Sequence, residues 1–196
     1  METVTANNAT ELVRLKIDET EIFLEELGEN KGKIIIANPY GHNYSMYWGS
    51  MGGTLKEFIV SISSDYFSDK LLGHISREVF CAKGTFRNVR KFIREELCLP
   101  WYKHMEFQKD FREKLKQFEE NCIEINSEQY FVDQFNYYFS TAPNFHLIED
   151  RWQMQDVESG FSNISEPWHF IATKESDQTK WLKNLHKKLN KELKKP

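Results

Sequence analysis

At 196 residues, with 40% hydrophobic and 14% aromatic residues, the chain suits one folded domain, or a core with a helical appendage, and its composition excludes disorder over most of its length. No run approaches the ~18 apolar residues of a membrane span, and the start METVTANNATEL lacks the basic and apolar regions of a secretory signal. The formal net charge of −4 conceals a polarity: residues 180–196 hold seven lysines against the single acid Glu192, while the first thirty residues hold eight acids against Arg14 and Lys16.

Residues 1–10 are small and polar and are expected to fray. Val13, Leu15 and Ile17 alternate with Arg14 and Lys16, the pattern of a half-buried strand. Period-two and turn signals then place strands at 12–17, 21–27, 33–38 and 43–48. With connections this short, an antiparallel meander is the simplest arrangement. Gly49, Gly52 and Gly53 lead out of the fourth strand. Thr54 and Glu57 form a capping box for a helix over 54–64, whose Leu55, Phe58, Ile59 and Ile62 recur at helical spacing. Asp65 starts a shorter helix to residue 72.

From Thr85 the period is helical. Phe86, Val89, Ile93 and Leu97 mark one helix, ended by Leu99-Pro100. Phe107, Phe111, Leu115 and Phe118 mark a second over 103–120. A third, capped by Asn126 or Ser127, carries the aromatic stripe Tyr130, Phe131, Phe135 and Tyr138, which reads as core. Residues 139–175 are broken by Pro143, Gly160 and Pro167, with strand-like pieces at Phe145–Ile148 and Trp168–Ala172. A last helix, capped near Ser176-Asp177, presents Trp181, Leu182, Leu185, Leu189 and Leu193 on one face and lysines elsewhere. The fold class is therefore α+β: a meander plus helix at 11–75, and a mainly helical part at 76–196 packed with it as one domain.

Recognisable catalytic chemistry is missing. There is no G-x-x-x-x-G-K-[ST], no H-E-x-x-H and no G-x-S-x-G. Cys81, Cys98 and Cys122 are odd in number and far apart, which reads as free thiols in a reducing cytosol and places the protein in the cytoplasm. No cofactor and no metal site is expected. Three constellations remain. Tyr40, His42, Tyr44, Tyr47 and Trp48 make an aromatic hairpin that could stack bases or a peptide. Lys180, Lys183, Lys187, Lys188 and Lys191 lie on the terminal helix, where they could hold the phosphates of RNA or DNA. Membrane-surface binding is disfavoured, because the acidic remainder of the chain repels anionic lipid, and no membrane partner is expected. Glu149, Asp150 and Arg151, with Glu166 and His169, could serve a small metal-dependent hydrolase.

Tyr40 to Gly53, followed by Leu55-Lys56-Glu57-Phe58 and by Asp65-Tyr66-Phe67-x-x-Lys70-Leu71, resembles a pattern in small phage and prophage proteins. There a Y-G-x-Y-S-type strand ending in W-G-x-M-G leads into L-x-E-F and D-Y-x-x-x-K-L. The resemblance covers about 35 residues, and it implies a phage or mobile-element setting rather than an activity. Together with the small size, the missing motifs and the split charge, it points to a non-enzymatic accessory protein that binds and inhibits a host macromolecule. The concrete version is anti-CRISPR-like: the partner is a host protein or ribonucleoprotein, a nucleic-acid-guided defence effector. A direct RNA- or DNA-binding protein using the basic terminal helix is the alternative.

Overall fold

A computed structural model describes residues 12–95, 105–123, 127–141, 147–148, 154–155, 158–159 and 166–195. The expected frayed segment 1–10, the stop at Leu99-Pro100, Cys98, Phe145 and Glu149 to Arg151 lie outside those residues, as does the side chain of Phe107. The architecture is α+β. Two compact units make up the chain: Met1–Arg77 together with Glu175–Pro196, and Glu78–Lys174. The division does not follow sequence order, because the end of the expected 76–196 part returns to the sheet.

In the first unit, β1 (Leu12–Ile17), β2 (Thr20–Glu26), β3 (Gly32–Ala37) and β4 (Tyr44–Trp48) form an antiparallel sheet in the order β1-β2-β3-β4. Register follows from alternation: Leu15 opposes Ile22, Leu24 opposes Ile34 and Ile36 opposes Tyr44, all on one face. Slipping any pair by one residue would turn this apolar row to solvent. Two helices follow, α1 (Leu55–Ser61) and α2 (Ser64–Leu72). The Thr54–Glu57 capping box starts α1, and the Leu55 N–H donates to Glu26 Oε1 at 2.6 Å, tying that start to the end of β2. Gly32 lets α1 approach closely, since a Cβ there would sit 3.0 Å from that of Leu55.

The expected helix over 54–64 stops early, at Ser61. The Ser61 hydroxyl donates to the Phe58 carbonyl at 2.8 Å, Ile62 is extended, and Ser63 caps α2 by accepting from the Tyr66 N–H. Serines that bond to nearby backbone compete with a continuing helix. Leu55 and Ile59 are fully buried, whereas Phe58 and Ile62 are only partly so, with Phe58 between Trp48 and Tyr66. The terminal helix, here α6 (Asp177–Leu193), is capped by Ser176, as expected near that position. Its Leu182, Leu185, Leu189 and Leu193 are buried in the same core as Ile22, Ile34, Ile59 and Phe67. A helix this rich in like charges is marginal alone, so the leucine stripe is the reason it exists.

His186 sits within that stripe at 1% exposure. Its Nδ1 pairs with Ser64 Oγ and its Nε2 with the Ile59 carbonyl, each at 2.9 Å, and the ring stacks on Phe67. A carbonyl only accepts, so Nε2 carries a proton; in the neutral ring, which burial favours, Nδ1 then accepts from the serine hydroxyl. One imidazole thereby joins the end of α1 to the start of α2, and burial holds its pKa below the ordinary value.

The second unit comprises α3 (Ala82–Glu95), α4 (Met105–Ile123), α5 (Glu128–Thr141), a 3-10 turn (Pro167–Phe170) and the short strands β5 (Glu78–Phe80) and β6 (Thr173–Glu175), which pair. Its core is aromatic: Phe86, Phe118, Phe131 and Phe135 meet edge-on or stacked. Ser127 caps α5 by accepting from the Tyr130 N–H. Trp168–Ala172 is not a strand as expected. Pro167 opens a 3-10 turn there, Asn88 donates to the Phe170 carbonyl, and the strand begins at Thr173. Cys122 is a buried free thiol pushed up to about 11 by desolvation, and Cys81 is also free.

Leu189→Ala is expected to lower stability by ~2–5 kcal/mol, the range for a fully buried leucine; Phe58→Ala, at a partly buried site, should cost less, as denaturant titration would show. The His186 contribution has a defined sign. Its folded pKa is depressed, so it is fully present above about 6.5, the ordinary value of an imidazole, and is lost as pH falls through the folded value. Urea midpoints at pH 7.5 and pH 5 should therefore separate in wild type, and the separation should shrink in His186→Asn.

Candidate functional site

The aromatic hairpin divides by face. Tyr44 and Trp48 point inward and are buried: Tyr44 stacks on Trp181 with ring centroids 5.8 Å apart, and Trp48 tilts against Phe58 at 5.4 Å. Burial raises the Tyr44 hydroxyl above its usual pKa. Tyr40, His42 and Tyr47 stay exposed, Tyr40 at 84%. The turn that carries them is shaped by two asparagines. The Asn38 N–H donates to Asn43 Oδ1 at 3.0 Å, and Asn38 Oδ1 accepts from the Tyr40 N–H at 3.1 Å. What remains open to a ligand is a loop with two ring systems, plus Tyr47 on the outer face of β4.

The terminal helix is largely compensated within its own unit. Lys183 pairs with both Asp65 and Glu175, which together push its ammonium up to about 12, and Lys183 in turn holds the Asp65 carboxyl below its ordinary range. Lys188 pairs with Asp18 at 2.5 Å, Lys180 with Asp177 at 3.2 Å and Lys195 with Glu192 at 2.6 Å. Lys187, Lys191 and Lys194 are exposed and make no ion pair with the described residues. The acidic beginning and basic end of the chain thus meet partly through Asp18 and Lys188.

A stronger cationic surface lies on α3. Lys83, Arg87, Arg90, Lys91 and Arg94 recur at i, i+4, i+7, i+8 and i+11, so they share one face of the helix, beside the buried stripe of Phe86, Val89 and Ile93. All five are exposed. They line a cleft of about 520 Å³ with Glu95 and Glu119. A second cleft of about 430 Å³ shares Arg90 and Arg94 with the first and adds Arg112 from α4 and the apolar wall of Ile93, Phe111 and Leu115. Six cations therefore face two acids. Arg90 pairs with Glu119, and Lys91 reaches Glu95 at 3.8 Å. Lys83, Arg87 and Arg94 make no ion pair with the described residues. Guanidinium groups spaced a helical turn apart suit the oxygens of successive phosphates, which they can hold bidentately.

This surface went unnoticed among the sequence candidates, although its signal was present. Residues 82–95 show two helical stripes side by side, one apolar and one basic, and the basic one is legible from spacing alone. The hydrolase candidates do not assemble into a describable site. Glu149, Asp150 and Arg151 lie outside the described residues, while His169 is exposed and pairs with Glu166 at 2.9 Å. Among the described residues no group of three or more His, Cys, Asp or Glu side chains could hold a metal ion. No helix among them is long and apolar enough to cross a membrane.

A family model described as a phage family, Phage_phiTE_072, matches residues 3–195. No curated protein and no solved structure matches the chain.

The two kinds of lysine on α6 should separate by substitution. Lys183→Gln is expected to lower the melting temperature of the sheet unit slightly, because it removes two ion pairs at once, whereas Lys187→Gln with Lys191→Gln should leave it within error of wild type. Thermal unfolding followed by circular dichroism makes the comparison.

Proposed function

Because the chain belongs to that phage family, we propose that it is a phage accessory protein that engages the nucleic acid of a host assembly through the cationic face of α3. Inhibition of a nucleic-acid-guided defence effector, in the manner of anti-CRISPR proteins, is the form this takes. The observation that carries the reading is the alignment of Lys83, Arg87, Arg90, Lys91 and Arg94 along one face of α3, three of them with no ion pair among the described residues. A solvated surface helix usually interleaves both signs of charge; a one-sign stripe beside a cleft concentrates positive potential where a phosphodiester chain can lie. The basic C-terminal stretch is the weaker candidate, since four of the seven lysines in residues 180–196 already have acidic partners in their own unit. The exposed Tyr40 and His42 are available as a further contact through stacking.

Salt titration tests the reading. With about four phosphate contacts to a single strand, binding of an RNA oligonucleotide should weaken roughly 50-fold between 50 and 200 mM salt. Arg87→Gln with Arg94→Gln should lower affinity and flatten the dependence by about 1.4 in log–log slope. In host cells carrying a guided effector, the wild-type chain should protect a targeted plasmid and the double variant should not. Unchanged affinity and slope in the double variant would overturn the proposal.

A further inference from the structure

A face that only holds phosphates has no use for an acid inside its cleft, yet Glu119 lines the α3–α4 cleft with a side chain only 15% exposed. Its Oε2 is taken by Arg90, and its Oε1 has no partner among the described residues. A carboxylate in that place repels phosphate and accepts N–H donors. The ligand that brings both an anionic chain and an edge of N–H donors is a nucleotide within a strand. The neighbouring cleft, which shares Arg90 and Arg94 with this one, fits the same object. There Ile93, Phe111 and Leu115 offer an apolar wall to a planar ring beside Arg94 and Arg112, while Lys83 and Arg87 line the Glu119 cleft for the flanking phosphates. Volumes of about 430 and 520 Å³, with Arg90 and Arg94 lining both, are in the range of small-ligand sites.

Building on the proposed nucleic-acid contact, we infer that the α3–α4 cleft is a base-recognition pocket that takes one unpaired guanine of a single strand, with Glu119 reading its Watson–Crick edge. Guanine is selected by donor arrangement. Its N1–H and N2–H lie side by side, and both can reach a carboxylate. Cytosine and adenine place a ring-nitrogen acceptor beside their amino group, and uracil flanks its N3–H with two carbonyls, so each sets a lone pair against the acid. Arg90 is then a positioning residue: it fixes the carboxylate through one lone pair of Oε2 and leaves Oε1 and the second lone pair of Oε2 to the two donors of the base.

Fluorescence anisotropy with two RNA heptamers, all-uridine and the same strand with one central guanosine, tests this. The guanosine strand should bind wild type at least about 5-fold more tightly, the discrimination of one well-formed base contact. Glu119→Gln should bring the ratio near one while keeping or raising affinity for the all-uridine strand. Arg94→Gln should weaken both strands and leave a preference. Should Glu119→Gln lower the melting temperature, inosine in place of guanosine asks the same question of the unaltered chain: removing the 2-amino group should reduce the preference. Equal binding of both strands by wild type, or a preference that survives both Glu119→Gln and inosine, overturns the guanine pocket while leaving the phosphate-binding face standing. Absence of salt-dependent binding to either strand overturns the proposed function and the pocket with it.

Discussion

The burial of the α6 leucines against the N-terminal meander is the interaction on which the first unit depends. A four-stranded sheet with two short helices leaves an apolar face larger than α1 and α2 can cover, and Leu182, Leu185, Leu189 and Leu193 supply the missing side of that core. The same docking brings the most basic stretch of the chain to a unit rich in acids. Lys183 and Lys188 consequently find Asp65, Glu175 and Asp18. Surface pairs of this kind contribute little individually, and their larger consequence is electrostatic: they blunt the positive field of α6. In the second unit a single face of α3 carries five cations, of which only Arg90 and Lys91 have an ion-pair partner among the described residues. A chain of net negative charge thus carries a concentrated positive surface on an internal helix, away from its lysine-rich end in sequence.

Much of the fold was legible because periodicity and capping agree. The four strands fall within two residues of the alternation that marks them, and Thr54, Ser127 and Ser176 act as caps because hydroxyl side chains at those points satisfy backbone donors that the helix leaves free. Where local signals compete, they misled. A continuous apolar pattern across Ile62 suggested one helix, but serines at 61 and 63 bond to nearby backbone and split it. The aromatic run Trp168 to Phe170 resembled a strand by composition, and a proline at its entrance turned it into a 3-10 turn. The strands β5 and β6, of three residues each, are too short for alternation to register.

The candidate site was less legible, for a different physical reason. Side-chain type says what a residue can do, while burial decides whether a ligand can meet it. Tyr44 and Trp48 share a strand with Tyr47, yet alternation sends the first two into the core and leaves the third outside. The lysines of α6 are conspicuous in sequence, but their partners come from segments as distant as Asp18 and Asp65. The basic stripe of α3 is the converse: it needs no long-range contact to form and was readable from spacing alone. Glu119 belongs to neither class, since only the approach of α4 to α3 sets an acid beside that stripe.

The central claim is that nucleic acid meets this protein at α3 and not at its lysine-rich end. Ultraviolet crosslinking of a bound single-stranded RNA to the intact chain, followed by mass spectrometry of the digested adducts, locates the contact without altering a residue. Adducts are expected on peptides spanning residues 83–94 and 111–119. Adducts confined to residues 180–195 or to the loop around Tyr40 would contradict it.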